Sequence, residues 1–340
     1  MKLLPYSNSF HKTKIKRDIK PFDIIKYILL VIGSILIIGF LYEFISCKIE
    51  DGRIIDKNKF VRVDGNKYHY KVMGKGDITV IFDGDMGVPF NQWKKVADIL
   101  EKEGNCRMFF YNRTGYGLND LDKNKSPEQQ ARDLRMVLKK LGINSQVILV
   151  GEGYGTLVMT NFAKIFPKYV EGMVLINPIN ENQFKDSDFI KEYKNKAFGQ
   201  GILKAGSYVG LTKLLYNMNL IKDPTGYLNN INEDDKKEFK ILRTRNNYIS
   251  AYKNELFNVI NGNSKSQQEG LIGDKYLTII NNSKFSSKQK ELENLTTNKD
   301  DLDIVDIDSS SDIVSLEKSE DISTAIRQMC KKYINSKKAT

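Results

Sequence analysis

Residues 27–47, YILLVIGSILIIGFLYEFISC, form an apolar run with one charge, Glu43. At 1.5 Å per residue these 21 residues make a helix of about 31 Å, the depth of one bilayer core. Behind the run the pattern shortens. KFVRV (59–63) and KYHYKV (67–72) alternate around Asp64-Gly65-Asn66, which predicts a β-hairpin with His69 on its second strand. ITVIFD (78–83) and QVILVG (146–151) read as buried strands, and RMFFYN (107–112) and VEGMVLIN (170–177) as further strands of the same sheet. Helical periods begin near Gln92, at Ser126-Pro127-Glu128-Gln129, and after Gly153, the last running to Phe166-Pro167. Strands alternating with helices in this way predict an α/β fold, a mostly parallel sheet covered by helices on both faces. From 181 to 270 the chain becomes Lys/Asn-rich and helical, near 198–218 and 234–260, which reads as an insertion. YLTIIN (276–281), a helix near 285–296, LDIVDID (302–308) and an amphipathic helix from Glu320 to Tyr333 complete the sheet and its cover.

The predicted organisation follows. Residues 1–26 are a basic tail, 27–47 a transmembrane helix and 48–57 a linker. Residues 58–180 are the first part of the core, 181–270 the helical insertion, 271–335 the second part, and 336–340 a tail. Formal charge is +11, and the first 26 residues hold seven Lys/Arg against two Asp. The remaining basic excess is diffuse and not interleaved with aromatics, so no nucleic-acid partner is expected. Six Lys/Arg lie in 7–26 and six in 48–67, a tie in which the short tail weighs more than a translocated domain. A cytoplasmic N-terminus, a single pass and an extracytoplasmic domain are therefore expected. Phe44-Ile45-Ser46-Cys47 loosely resembles a bacterial lipobox, which keeps a lipoprotein as the alternative to an uncleaved anchor. Cys47, Cys106 and Cys330 match no metal spacing and no disulfide framework.

Chemistry concentrates at VILVGEGYGTLV (147–158), where an apolar strand runs through Gly151-Glu152-Gly153-Tyr154-Gly155 into a helix. The order, spacing and helices from about residue 58 to 335 resemble the α/β-hydrolase superfamily. FDGDMG, with Asp83, Gly84 and Asp85, resembles its oxyanion loop, with Trp93 on the helix behind it. RTGYGLN (113–119) resembles its Arg-x-Gly-x-Gly-x-Ser loop, and GEGYG its Gly-x-Ser-x-Gly turn. The insertion stands where the family carries a cap, and GLTKLL and YKNELF resemble cap helices of its membrane-anchored branch.

The resemblance implies a nucleophile, a histidine base and an orienting acid. Gly153 stands at the nucleophile position, Asp312 at the base position, and Asn177, Asn281 and Asn282 at the acid positions. No histidine follows His69, and His11 is the only other one. All three roles look empty, so serine-hydrolase activity is not expected. Glycine at 153 accepts the strained turn that joins strand to helix. Asp83 and Asp85 would repel a developing oxyanion. They could instead combine with Glu152 as general acid and base, the alternative being an esterase-like hydrolase of altered mechanism.

Asp306-x-Asp308-x-Ser310-x-Asp312, with Glu317, falls at positions 1, 3, 5, 7 and 12 of a calcium loop. Ser311 replaces the required glycine, and the preceding element reads as a strand. The bland reading, a solvated strand end and a helix cap, is favoured. No cofactor is expected. The sequence thus suggests a non-catalytic module whose cap pocket holds a small apolar ligand or whose surface meets a protein partner.

Overall fold

The computed structural model describes residues 21–55, 59–103, 106–221, 223, 225–283 and 289–339. Most of the tail 1–26 and the start of the helix expected near 285–296 lie outside them. Eight strands form one sheet: β1 (Lys59–Val63), β2 (Asn66–Met73), β3 (Thr79–Asp83), β4 (Arg107–Tyr111), β5 (Val147–Glu152), β6 (Val170–Ile176), β7 (Tyr276–Asn282) and β8 (Leu302–Ile307). Their order is β1-β2-β4-β3-β5-β6-β7-β8. β1 and β2 pair antiparallel, as does β2 with β4, and every later pair is parallel. The hairpin turns at Asp64 and Gly65, both at positive φ, which matches its Asp-Gly signal. β3 and β5 are buried along their whole length, the reason their sequences do not alternate.

Helices cover both faces: α2 (Lys94–Glu103), α3 (Pro127–Lys140), α4 (Tyr154–Ile165), the short α9 (Val314–Glu317) and α10 (Ser319–Ala339), with α5–α8 set out below between β6 and β7. α3 begins where expected, capped by Ser126 with Pro127 in its first turn, and Gln129 bonds back to complete a capping box. One core cluster packs α3 and α4 on the sheet through residues such as Leu134, Leu157 and Phe162. The other packs α2 and α10 on the opposite face through Val96, Leu100, Ile322 and Ile326.

Between β6 and β7 the described chain carries α5 (Ser187–Ser207), α6 (Leu211–Asn217), α7 (Glu233–Arg243) and α8 (Asn246–Ile260), joined by loops and short 3-10 turns. The single helices expected at 198–218 and 234–260 are each broken. Gly210 takes a left-handed conformation ahead of α6, and Arg245 is extended ahead of α8. The helix expected near 285–296 is a 3-10 turn, Lys290–Leu295, in its described part.

The N-terminal helix α1 runs Pro21–Ile55, and its stretch Pro21–Glu50 is long and apolar enough to cross a membrane. It continues through most of the predicted linker 48–57. The reason lies in tertiary contact. Gly39, Glu43, Ser46 and Glu50 recur at helical spacing on one face, and that face meets the insertion. Lys213 of α6 donates to Ser46 Oγ at 2.5 Å and forms an ion pair with Glu50. A side chain on Gly39 would overlap the Val209 carbonyl, so the two backbones are in contact there.

Candidate functional site

The turn between β5 and α4 is tight. Gly153 sits at φ +53° and ψ −118°, backbone angles that strain any residue with a side chain. Its amide donates to the Ile176 carbonyl at 3.1 Å, and its carbonyl accepts from the Thr156 hydroxyl at 2.6 Å. Gly151 and Gly155 let strand and helix close: a Cβ on Gly155 would stand 2.5 Å from the Asp83 carbonyl oxygen, and one on Gly151 2.9 Å from the Thr156 backbone.

Asp85 turns into this bend. Its Oδ1 accepts from the Tyr154 amide at 2.8 Å and from the Met86 amide at 2.7 Å. These donors are the residue after the turn and a residue of the loop after β3, the places from which an α/β hydrolase holds an oxyanion. A Cβ added to Gly153 would overlap the Asp85 carboxyl. One carboxylate thus fills both the nucleophile's space and the anion's. Burial pushes its pKa up, against the pull of the Tyr154 and Met86 amides.

Asp83 faces elsewhere, which corrects the expectation that both aspartates would oppose an oxyanion. It is fully buried, ion-paired with Arg113, and accepts from the Tyr111 hydroxyl at 2.8 Å. Arg113 also donates to Gly84 O at 2.8 Å and to Asp85 O at 3.1 Å, holding the loop, and to Glu255 of α8 at 2.7 and 3.1 Å. The Tyr116 hydroxyl donates to the same Glu255 at 2.6 Å. The insertion is thereby tied to the core through buried charge. Sequence reasoning missed Glu255, because an isolated Glu in a cap helix gives no sign of a partner 142 residues away.

Glu152 also turns away from the bend. Its carboxyl is buried, accepts from the Ser315 amide at 3.1 Å and bonds the Gln92 amide at 2.6 Å and the Ser315 hydroxyl at 2.5 Å. Burial raises its pKa to about 8. The side chain lies under the sheet end and does not line the cavity above Gly153. Between its unfolded pKa near 4.5 and about 8, the folded state holds the extra proton. Stability should therefore fall as pH rises from 5 to 8, by at most roughly 3–5 kcal/mol from this group. Glu152→Gln should flatten that slope in urea titrations at several pH values, and equal slopes for the two proteins would refute the assignment.

A cavity of about 290 Å³ opens over the turn. Asp85, Gly153, Asn177 and Asp312 form its floor and wall, and Asp188, Glu192, Tyr193 and Lys196 of α5 its roof. The positions of nucleophile, base and one candidate acid thus meet around one space. Asn281 and Asn282 do not reach it: they bond Asp306 and the Ser309 carbonyl. Of the two histidines, His11 lies outside the described residues. His69 is buried on β2 between Phe60 and Phe90, where burial lowers its pKa to about 4. The α5 residues carry no sequence signal, since only the folded insertion brings them over the turn.

The calcium spacing does not fold into a calcium loop. Asp306 is on β8 and bonds Asn281 Nδ2 at 3.1 Å, while Asp312 faces the cavity. Glu317 accepts from the Ser309 hydroxyl at 2.9 Å, from the Ser310 amide at 3.1 Å and hydroxyl at 3.2 Å, and from the Ser311 amide at 3.0 Å. These four bonds, all to Oε2, close that turn. Among the described residues no three His, Cys, Asp or Glu converge on a point that could hold a metal.

The Ndr family matches residues 117–333, from the loop after β4 into α10. This chain belongs to the Ndr family. The family match and the fold agree with the α/β-hydrolase resemblance of the sequence. The Ndr-family chain is 23% identical over 125 residues to a cis-3-alkyl-4-alkyloxetan-2-one decarboxylase of Shewanella oneidensis, a match covering 36% of this chain and 38% of that protein. Among solved structures, the enol-lactonase of Burkholderia xenovorans LB400 superposes with a TM-score of 0.57 at 14% identity, over 80% of this chain and 99% of the other. The Cif epoxide hydrolase of Acinetobacter nosocomialis gives 0.62 at 13% identity, over 80% and 88%. At such identities the structures speak for the fold, which is that of an α/β hydrolase.

Proposed function

We propose that this chain is a non-catalytic α/β-hydrolase-fold module anchored in a membrane by α1, with a cytoplasmic N-terminus and an extracytoplasmic domain. The observation that carries the reading is the Asp85 carboxylate, bonded to the Tyr154 and Met86 amides and seated where a residue-153 side chain would stand. An acyl-transfer oxyanion would have to displace a like charge from its own donors. The cavity above the turn offers about 290 Å³ for a ligand. Among its described lining residues Asp85, Asp188, Glu192 and Asp312 outnumber the one cation, Lys196, so that lining suits a small polar ligand with a cationic group better than the apolar one suggested by sequence. The surface could equally serve a protein partner. Mass spectrometry of the purified chain would identify a retained ligand.

A second reading keeps Asp85 as a working carboxylate, because it is half-buried at the floor of an open cavity and its pKa is raised. One experiment separates the two. The protein should show no fluorophosphonate labelling and no aryl-ester turnover above a heat-denatured control. Enzyme-like turnover that Asp85→Asn abolishes would replace the non-catalytic reading with carboxylate chemistry.

A further inference from the structure

The span α1 does not leave the membrane before it meets the domain. From Gly39 to Glu50 its inner face, Gly39, Glu43, Ser46 and Glu50, packs on the insertion. A Cβ on Gly210 would stand 3.4 Å from the Gly39 carbonyl and 3.4 Å from the Tyr42 ring. Arg245, just ahead of α8, lies 3.7 Å from Glu50. At the same level the other faces of α1 carry Phe40, Leu41, Phe44 and Ile45, each at least half exposed. A helix with such flanks is solvated by lipid. The segment docked on its inner face must therefore lie at lipid depth too.

That segment is itself apolar outward. Leu211, Leu214, Met218 and Leu220, on and just after α6, are 46%, 54%, 58% and 64% exposed, and Phe198 and Ile202 of α5 are 73% and 60% exposed. Soluble surfaces rarely gather so many large apolar side chains on one face. Phe198 and Ile202 also line an apolar groove of about 480 Å³ between α5 and α8, with Lys194 and Lys253 at its edge. Lysines rimming apolar surface are the arrangement that meets anionic headgroups above acyl chains.

We propose that the outer face of α5 and α6 is sunk in the membrane interface beside α1, so that the domain holds the bilayer by a second contact. The inference rests on α1 being a membrane span. Its occupant is the lipid surface, because the face is continuous with the docked flank of α1.

The test uses the full chain with Cys47→Ser, in which the remaining cysteines, Cys106 and Cys330, are buried. Single cysteines at Phe198, Leu214 and Met218 are labelled with an environment-sensitive fluorophore. The labelled proteins are reconstituted in phosphatidylcholine–phosphatidylglycerol vesicles, with or without brominated acyl chains. Ile35→Cys reports on α1, and Lys299→Cys on the sheet end away from the insertion. The expected result is blue-shifted emission that brominated lipid quenches at 198, 214, 218 and 35, with position 299 quenched only by aqueous iodide. Quenching at 35 with iodide-sensitive labels at 198, 214 and 218 would overturn the proposal and leave the anchor standing. No lipid quenching at 35 would overturn both. Labels at 198, 214 and 218 shielded from lipid and iodide alike would show that a protein, such as a second copy, covers the face, and would also overturn it.

Discussion

Replacing Arg113 with Met should destabilise the protein by about 3–5 kcal/mol, the scale on which a buried ion pair fails when one partner goes. Arg113 is buried and donates five hydrogen bonds, to Asp83, Gly84 O, Asp85 O and both oxygens of Glu255. Without it, Asp83 and Glu255 would face each other as two buried carboxyls. Burial already pushes both upward in pKa, and the guanidinium is the main force opposing that. In its absence each would fold as the neutral acid, so the loss should be larger at pH 8 than at pH 5. A triple variant, Asp83→Asn, Arg113→Met and Glu255→Gln, should lose less than Arg113→Met alone, because no charge is stranded. Because Glu255 belongs to α8, the single variant should also loosen the insertion and expose it to protease. Urea denaturation at two pH values measures the first effects. A loss below about 1 kcal/mol would mean that water replaces the guanidinium and that the cluster is not a structural tie.

The backbone of this molecule was legible because its signals are local. The Asp64-Gly65 hairpin, the uninterrupted apolar strands around VILVG, the Ser126 cap and the turn at Gly153 each announce themselves within a few residues. Side-chain direction at the strand ends was not legible. Asp83, Asp85 and Glu152 are three acids near one turn, and sequence offered them as one constellation. Tertiary partners separate them: Arg113 draws Asp83 inward, Ser315 and Gln92 draw Glu152 under the sheet, and only Asp85 stays at the cavity. The same holds for α1. Glu43 read as the one charge of a span and Glu50 as part of a linker, because their neighbours on the insertion, more than 160 residues away, cannot be read from local pattern. The α5 roof of the cavity escaped for the same reason.

Gly153→Ser should cost roughly 2–6 kcal/mol and gain no activity. Part of the cost is backbone strain at φ +53°, about 1–3 kcal/mol for a residue with a side chain. The rest comes from overlap, since the new Cβ would occupy the space of the Asp85 carboxyl, and forcing atoms into a filled site costs about 1–3 kcal/mol. Asp85 can yield only by leaving the Tyr154 and Met86 amides. Asp85→Ala should therefore rescue part of the loss. In a double-mutant cycle the pair should cost less than Gly153→Ser alone, whereas independent sites would add within about 0.5 kcal/mol. Additive losses would sink the idea that the carboxylate sits in the nucleophile's space. The double variant, with its oxyanion donors freed, should still resist fluorophosphonate. A serine hydroxyl needs a base to take its proton, and Asp312, not a histidine, faces that side of the cavity. Adding Asp312→His to the double variant is the step at which labelling should first appear, because nucleophile and base act as a unit. Labelling of Gly153→Ser by itself, with Asp85 still in place, would show that the carboxylate does not block the site and would return this fold to the active hydrolases.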